Sequence, residues 1–368
     1  MGFSIRIGHF HSAMRFRFKH ASAVRDETHN IIVAMQDDEG RIGYGEGCPR
    51  HYVTGETSAG ALSFLKTYGA DAAHAATQLH TFKDWCAANV KLIDENPAAF
   101  CALELAALDL LGKRENRTIE SMLGLPAPRT PVSYTAVIGD SSPGKMLAIT
   151  LAYRFYGFAS FKVKLGGDLE REKKRLAPLP DSAIVRFDAN NLWNDAESCV
   201  AYCKQLKRNY WAIEEPVHAF DADALIEIAQ ALDTRIILDE SCLLESHLAP
   251  YLTHPELFIA NIRVSKCGGI LRSIQLANHC LTHGIDVILG AHVGETSLLT
   301  RAALVVSQGM AVQPIAREGA YGQLLLKQDV TENSIRFHRG GILHPNRYHM
   351  DQKSGHGIDV QSERIDWE

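Results

Sequence analysis

The sequence predicts an α/β chain: an α+β unit, then a closed parallel β/α barrel, then a short tail. Three observations carry this. Eight strand-like runs follow one another from about Pro131: VSYTAV, FKVKLG, IVRFDA, WAIEEP, IILDES, IANIRVSK, DVILGA and VQPIA. From the second run onward the end positions are Lys162, Asp188, Glu214, Asp239, Arg263, Gly290 and Ile315, with steps of 26, 26, 25, 24, 27 and 25 residues. One strand, one helix and two short loops need about that length. Finally, no Gly-rich fingerprint follows VSYTAV, as an open doubly wound sheet would show after its first strand. The Gly268-Gly269 pair reads as a tight turn before a helix.

Ahead of the repeat, HNIIVAMQDDEGRIGYGEG reads as two strands joined at Asp38-Glu39-Gly40. A helical stretch starts near Ser58. A stronger one, PAAFCALELAALDLLGKRE, spans Pro97 to Glu115, opening on Pro and rich in Ala and Leu. Strands followed by helices mark an α+β unit over residues 1–125. The barrel is assigned to residues 126–330. The tail, residues 331–368, holds one more apolar run, IRFHRGGIL, and a polar end, and is expected to pack back against the first unit.

Bulk composition excludes several classes. Hydrophobic residues make up 46% and charged residues 22% of 368, ordinary for a globular chain. A net charge of -5 gives no reason to bind nucleic acid or a bilayer. No apolar run approaches the length of a membrane span, and MGFSIRIGHFHS lacks the apolar core of a secretory leader. None of the eight cysteines forms a CxxC pair, and Cys199 and Cys203 read as core residues on one helix face. A chain of this size needs no disulfide staples, so a reduced, cytoplasmic protein is expected.

Chemistry concentrates at the strand ends, where barrels of this kind place their sites. Asp188, Glu214 and Asp239 end three successive strands. One such carboxylate alone is more ordinary as a helix cap. Three in register, with no His or Cys beside them, suit Mg²⁺, with Mn²⁺ as an alternative. Lys162 and Lys164 are two apart in FKVKLGG and so share one strand face, the barrel interior. Burial and mutual repulsion are expected to lower a lysine pKa there, toward the neutral amine of a general base. Lys266 ends the sixth strand, nearly opposite the second. Amines on both faces of a metal-held carboxylate suit removal of its α-proton, with the metal stabilising the enediolate. They would permit racemisation or epimerisation, or one lysine could act while the other only stabilises charge.

The set KVK, DAN, IEEP, LDES and SKCGG, in this order and spacing, resembles the enolase superfamily, specifically its muconate-lactonizing subgroup. CALELAALDLLGK looks like that family's interdomain helix and GHGIDV like its closing segment, so the resemblance covers nearly the whole chain. It implies a (β/α)₇β barrel under an N-terminal capping domain. It also implies Asp188, Glu214 (not Glu215) and Asp239 as metal ligands, and Lys164 and Lys266 as the acid/base pair, with Lys162 tuning Lys164. Asn190 and Glu240 would orient ligands and lysine. A homo-oligomer is implied as well.

The capping loops would then choose a small carboxylate substrate. KHASAVRDET supplies His20 and Arg25; CPRHYVTGET supplies Arg50 and Tyr52. Arginines there suit a second anionic group, though solvated loop charge is the plain alternative. Beyond the seventh and eighth strands stand His292, Glu295 and Glu318. Dipeptide epimerases of the subgroup carry an Asp-x-Asp pair after the last strand to hold the substrate ammonium. Here those positions are Gly319 and Tyr321, which weakens a free amino terminus, with Glu318 a partial replacement. Extra residues between Asp239 and Lys266 are placed in LLESHLAPYLTHPELF, at the pocket rim. The expected activity is racemisation or epimerisation of an amino-acid derivative, a dipeptide or N-acyl amino acid. A muconate-type cycloisomerase, a dehydratase or an o-succinylbenzoate synthase-like enzyme are the alternatives. A non-catalytic binding barrel is disfavoured, because all three carboxylates and both opposed lysines are present.

Overall fold

The computed structural model describes residues 3–20 and 23–368, with side chains described outside residues 16–25. The side chains of His20 and Arg25 therefore lie outside the described residues.

Three antiparallel strands open the chain: β1 (Phe3–His20), β2 (Ala23–Asp37) and β3 (Ile42–Gly47). Short helices α1 (His51–Thr54), α3 (Leu79–Ala88) and α4 (Val90–Glu95) flank the longer α2 (Ser58–Ala75). Helix α5 (Pro97–Glu115) then lies across the sheet. It is buried from Pro97 to Gly112, which accounts for its apolar sequence all round. Gly43, Gly45 and Gly47 face it at every second position of β3. A Cβ on Gly45 would stand 2.0 Å from the Ala102 carbonyl oxygen, so only glycine permits this approach.

After α6 (Ile119–Leu123) and β4 (Val132–Ser133) the barrel begins. Its strands are β5 (Ala136–Ile138), β6 (Ser160–Lys164), β7 (Ile184–Asp188), β8 (Ala212–Glu214), β9 (Arg235–Leu238), β10 (Phe258–Ile262), β11 (Asp286–Leu289) and β12 (Ala316–Arg317). They pair in chain order, each parallel to the next. The sheet curls until Thr135 N, just before β5, donates to Arg317 O of β12 at 2.8 Å. Ala212, Ile237, Ile259 and Ile288 form an apolar cluster on its inner face. Ala212, Ile237 and Ile259 each precede a polar residue (Glu214, Asp239, Asn261) by two positions, so this layer floors the strand ends.

The connecting helices are α7 (Pro143–Tyr156), α8 (Leu169–Leu176), α9 (Ala196–Gln205), α10 (Ala222–Leu232), α11 (Ile270–Thr282) and α12 (Ser297–Gly309). Between β9 and β10 there are 3₁₀ turns instead, Glu245–Thr253 and Pro255–Leu257. Pro250, inside the first of these, lacks the backbone donor an α-helix would need there. The extra residues of this segment bury Leu248 and Tyr251 and line no part of the cavity of about 840 Å³ at the strand ends, so they do not form a pocket rim.

The tail returns through β13 (Ile342–Leu343), paired with β4, and β14 (Asp366–Trp367), which joins β1 at the edge of the capping sheet. Buried carboxylates join the two halves. Glu46 of β3 accepts from Thr296 N (2.9 Å) and Leu299 N (3.2 Å) at the start of α12. Glu104 of α5 accepts from Ile270 N and Leu271 N at the start of α11. Both carboxylates meet the positive end of a helix. No described helix is long and apolar enough to cross a membrane.

Candidate active site

Strand register assembles the site. Lys164 pairs with Asp188 and Asp188 with Glu214, placing three charged residues side by side along the strand ends. Asp239 and Arg263 follow β9 and β10. Lys162 lies one inward step below Lys164 and donates to Glu214 Oε1 at 2.8 Å, with Asp188 Oδ2 at 3.1 Å. Lys164 Nζ donates to Asp188 Oδ2 (2.8 Å) and Asn190 Oδ1 (2.6 Å). Asn190, at φ 48°, turns the chain away from the strand so that its amide reaches back to the lysine. Lys266 Nζ donates to Asp239 O (2.7 Å), Asp239 Oδ1 (3.0 Å) and Asn261 O (2.6 Å).

Glu214 and Glu215 point opposite ways. Glu214 enters the cluster. Glu215 accepts from Asp239 N (2.6 Å) and Ser241 N (2.8 Å) and fixes the end of the next strand. Burial pushes the Glu214 carboxyl up to about 8, helped by Asp188, Glu318 and Asp239 and opposed by Lys162. Asp188 is held well below the usual carboxylate range, because Lys162 and Lys164 outweigh its burial. Lys162 departs from expectation. Burial does pull Lys162 and Lys266 down, but the carboxylates around them prevail and both are raised.

Two arginines complete the cluster, and neither was singled out as a site residue from the sequence. Arg263 contacts Asp239 closely and stands 3.6 Å from Glu214 Oε1. Arg186 donates to Glu318 Oε1 at 2.7 Å. The signal was available: Arg186 precedes Asp188 by two, and Arg263 follows Asn261 by two, so each shares its neighbour's inward face.

The donor set fits a hard divalent cation. Asp188, Glu214 and Asp239 are buried, come from adjacent strands and offer oxygen alone. Glu214 Oε2 accepts no hydrogen bond, though Lys162 Nζ is 2.8 Å away. Among the described residues no three His, Cys, Asp or Glu side chains stand as a ready coordination shell. Lys162 and Arg263 bridge the carboxylates instead.

A cavity of about 840 Å³ opens above this cluster. A family model described as enolase C-terminal domain-like matches residues 147–364, more than half of the chain. The chain belongs to the enolase C-terminal domain-like family. The family's chemistry is reflected in two curated relatives. A hydrophobic dipeptide epimerase of Enterococcus faecalis is 26% identical over 78% of this chain and 85% of its own. An N-succinyl-L-Arg/Lys racemase of Bacillus cereus is 26% identical over 91% and 89%. Among solved structures, a muconate lactonizing enzyme from Pseudomonas fluorescens superposes with TM-score 0.86 at 20% identity, covering 99% of this chain and 98% of that one. The Enterococcus faecalis dipeptide epimerase complexed with Mg and L-Leu-L-Tyr gives 0.81 at 22% identity, covering 98% and 100%. Enolase-superfamily members use a divalent metal.

In this enolase-like chain, Tyr52, Lys162, Lys164, Asn190, Glu240, Arg263, His292, Glu295, Glu318 and Tyr321 all line the cavity. Glu240 is pushed up to about 8 by burial and by Asp239, and its Oε2 accepts no hydrogen bond. Glu295 accepts from His292 N at 3.1 Å. The Glu318 carboxylate is taken by Arg186 and by Lys162 at 3.2 Å, which hold it down to about 2 against its burial. The Tyr321 hydroxyl accepts from Val137 N at 2.9 Å. Arg50 is turned into the capping sheet, donating to His29 O (3.0 Å), Pro49 O (3.1 Å) and Asn30 Oδ1 (2.8 Å), and does not line the cavity.

Proposed function

We propose that this site removes the proton α to the carboxylate of an amino-acid derivative and returns it on either face, as a racemase or epimerase. One observation carries the reading. Lys164 and Lys266 approach the same carboxylate cluster from β6 and from the end of β10, four strands apart in an eight-stranded sheet and hence on opposite sides. A substrate between them has an amine on each face of its α-carbon.

Asp188, Glu214 and Asp239 are proposed to hold Mg²⁺, with Mn²⁺ as an alternative. The bound cation would offset the negative charge that grows on the substrate carboxylate as the α-proton leaves. Lys164 takes or gives that proton on one face, oriented by Asn190. Lys266 does so on the other, fixed by Asp239 and Asn261. Lys162 sets the charge around Lys164 and Glu214. Glu240, His292 and Glu295 share the cavity lining with Lys162 and Lys164, Lys266 lies buried behind it, and Tyr52 closes it from the capping side. A cytoplasmic homo-oligomer belongs to the same reading, supported by the lack of CxxC pairs and by the general prevalence of symmetric enzyme oligomers.

The test is incubation of N-acyl amino acids and dipeptides with the protein and Mg²⁺ in D₂O, followed by NMR. Deuterium at the α-carbon in both configurations is expected. No exchange with any of them, or lactone from a muconate in its place, contradicts the proposal.

A further inference from the structure

The cavity does not end at Lys162 and Lys164. It continues past Tyr321 into an apolar groove between α7 and the Gly322–Leu326 turn. The apolar part of one wall is Ala148, Ile149 and Ala152 of α7 and of the other Leu324, Leu325 and Phe337, with Lys145, Gln323, Arg336 and Arg15 also on the lining. Helix α7 is the least buried of the barrel helices, although α8, α9 and α10 bury only three residues each. Of its described residues only Met146 and Thr150 are buried, whereas α12 buries most of its length. The small side chains of Ala148 and Ala152 leave the space that a larger residue would fill.

The opposite wall is anchored. Arg15 N donates to Leu325 O at 2.7 Å and Lys327 N to Ala13 O at 2.9 Å, stitching the turn to β1. The aromatic step between groove and catalytic end is also fixed, since the Tyr321 hydroxyl is held by Val137 N and lies 3.2 Å from that of Tyr153. Its neighbour Glu318 is occupied by Arg186 and Lys162 and presents no free carboxylate toward the groove.

We infer that the substrate carries an extended apolar group, which lies between α7 and the Gly322–Leu326 turn while its carboxylate end sits among the lysines. This rests on the reading of the cavity as a substrate site. Continuity of the groove with that site identifies the occupant as part of the substrate rather than a separate partner. The apolar group is either an N-acyl chain or a long side chain, and both offer the same methylene surface.

Calorimetric titration in Mg²⁺ tests this with two ligand series: N-acyl-alanines from acetyl to decanoyl, and N-acetyl amino acids from alanine to 2-aminooctanoate. Affinity is expected to rise about three- to fourfold per methylene in one series, which identifies the group concerned. In Ala152→Phe, which fills the groove, the long-to-short affinity ratio falls at least tenfold. In Ile149→Ala, which widens it, the optimum moves to longer chains. Flat series in the wild type, or equally steep series in Ala152→Phe, overturn the inference. Chain-length-dependent binding without α-deuteration supports the groove and overturns the proposed reaction, so the two failures are distinguishable.

Discussion

Arg186 donates to Glu318 across the barrel interior, Nη2 to Oε1 at 2.7 Å, with both side chains nearly or wholly buried. Lys162 shares the same carboxylate at 3.2 Å. Glu318 is the carboxylate that offsets the Arg186 guanidinium beneath the cluster, while Lys162 shares it with Asp188 and Glu214. Glu318→Gln removes that offset and leaves buried positive charge. A loss of about 3–5 kcal/mol in unfolding free energy is expected by denaturant titration. A loss below about 1 kcal/mol would show that the pair contributes little.

His356 should make the protein sensitive to acid. Its ring is fully buried, with Nε2 3.2 Å from Leu105 O and no hydrogen-bond partner at Nδ1. Burial lowers its pKa from 6.5 to about 4. The unfolded chain therefore binds the extra proton first, and stability falls as pH drops from 6.5 toward 4. The expected contribution is about 3 kcal/mol across that window. In His356→Asn the pH–stability curve should be flatter there; an unchanged slope counts against this assignment.

The contact between β3 and α5 leaves no room for a side chain. Gly45→Ala should cost about 2–3 kcal/mol, because its Cβ would stand 2.0 Å from Ala102 O. Urea unfolding measures this. A near-neutral result would mean that strand and helix separate easily.

Chelation by EDTA should abolish α-proton exchange and Mg²⁺ should restore it. Asp188→Asn, Glu214→Gln and Asp239→Asn should each weaken Mg²⁺ binding more than tenfold in calorimetry. Exchange that survives EDTA would remove the metal from the account.

Much of this site was legible in the sequence because strands repeat every two residues and barrel units about every twenty-five. Those two periods placed Lys162, Lys164, Asp188 and Glu214 together without a structure. The same rule covered Arg186 and Arg263, but an Arg within an apolar run does not announce its partner. Glu318, Asp239 and Glu214 lie far from them in sequence. The upward shift of Lys162 was hidden for the same reason, since burial can be read from alternation whereas carboxylates arriving from three other strands cannot. Strand β1 was missed because its His and Arg residues interrupt the apolar pattern. Arg50 stood in a loop suited to substrate, yet tertiary packing directs it to Asn30 and His29. The 3₁₀ segment after β9 was recognised as extra length, but chain length alone does not say which way a loop packs.

In the proposed reaction Lys164 and Lys266 serve opposite faces of one α-carbon. It is tested most directly by following deuterium exchange of each separate enantiomer of an accepted substrate in Lys164→Ala and Lys266→Ala. Interconversion of enantiomers should stop in both variants. Each variant should still exchange the enantiomer whose α-proton faces the remaining lysine, and the two should show opposite preference. Racemisation that continues in either variant, or loss of exchange from the same enantiomer in both, would contradict the account.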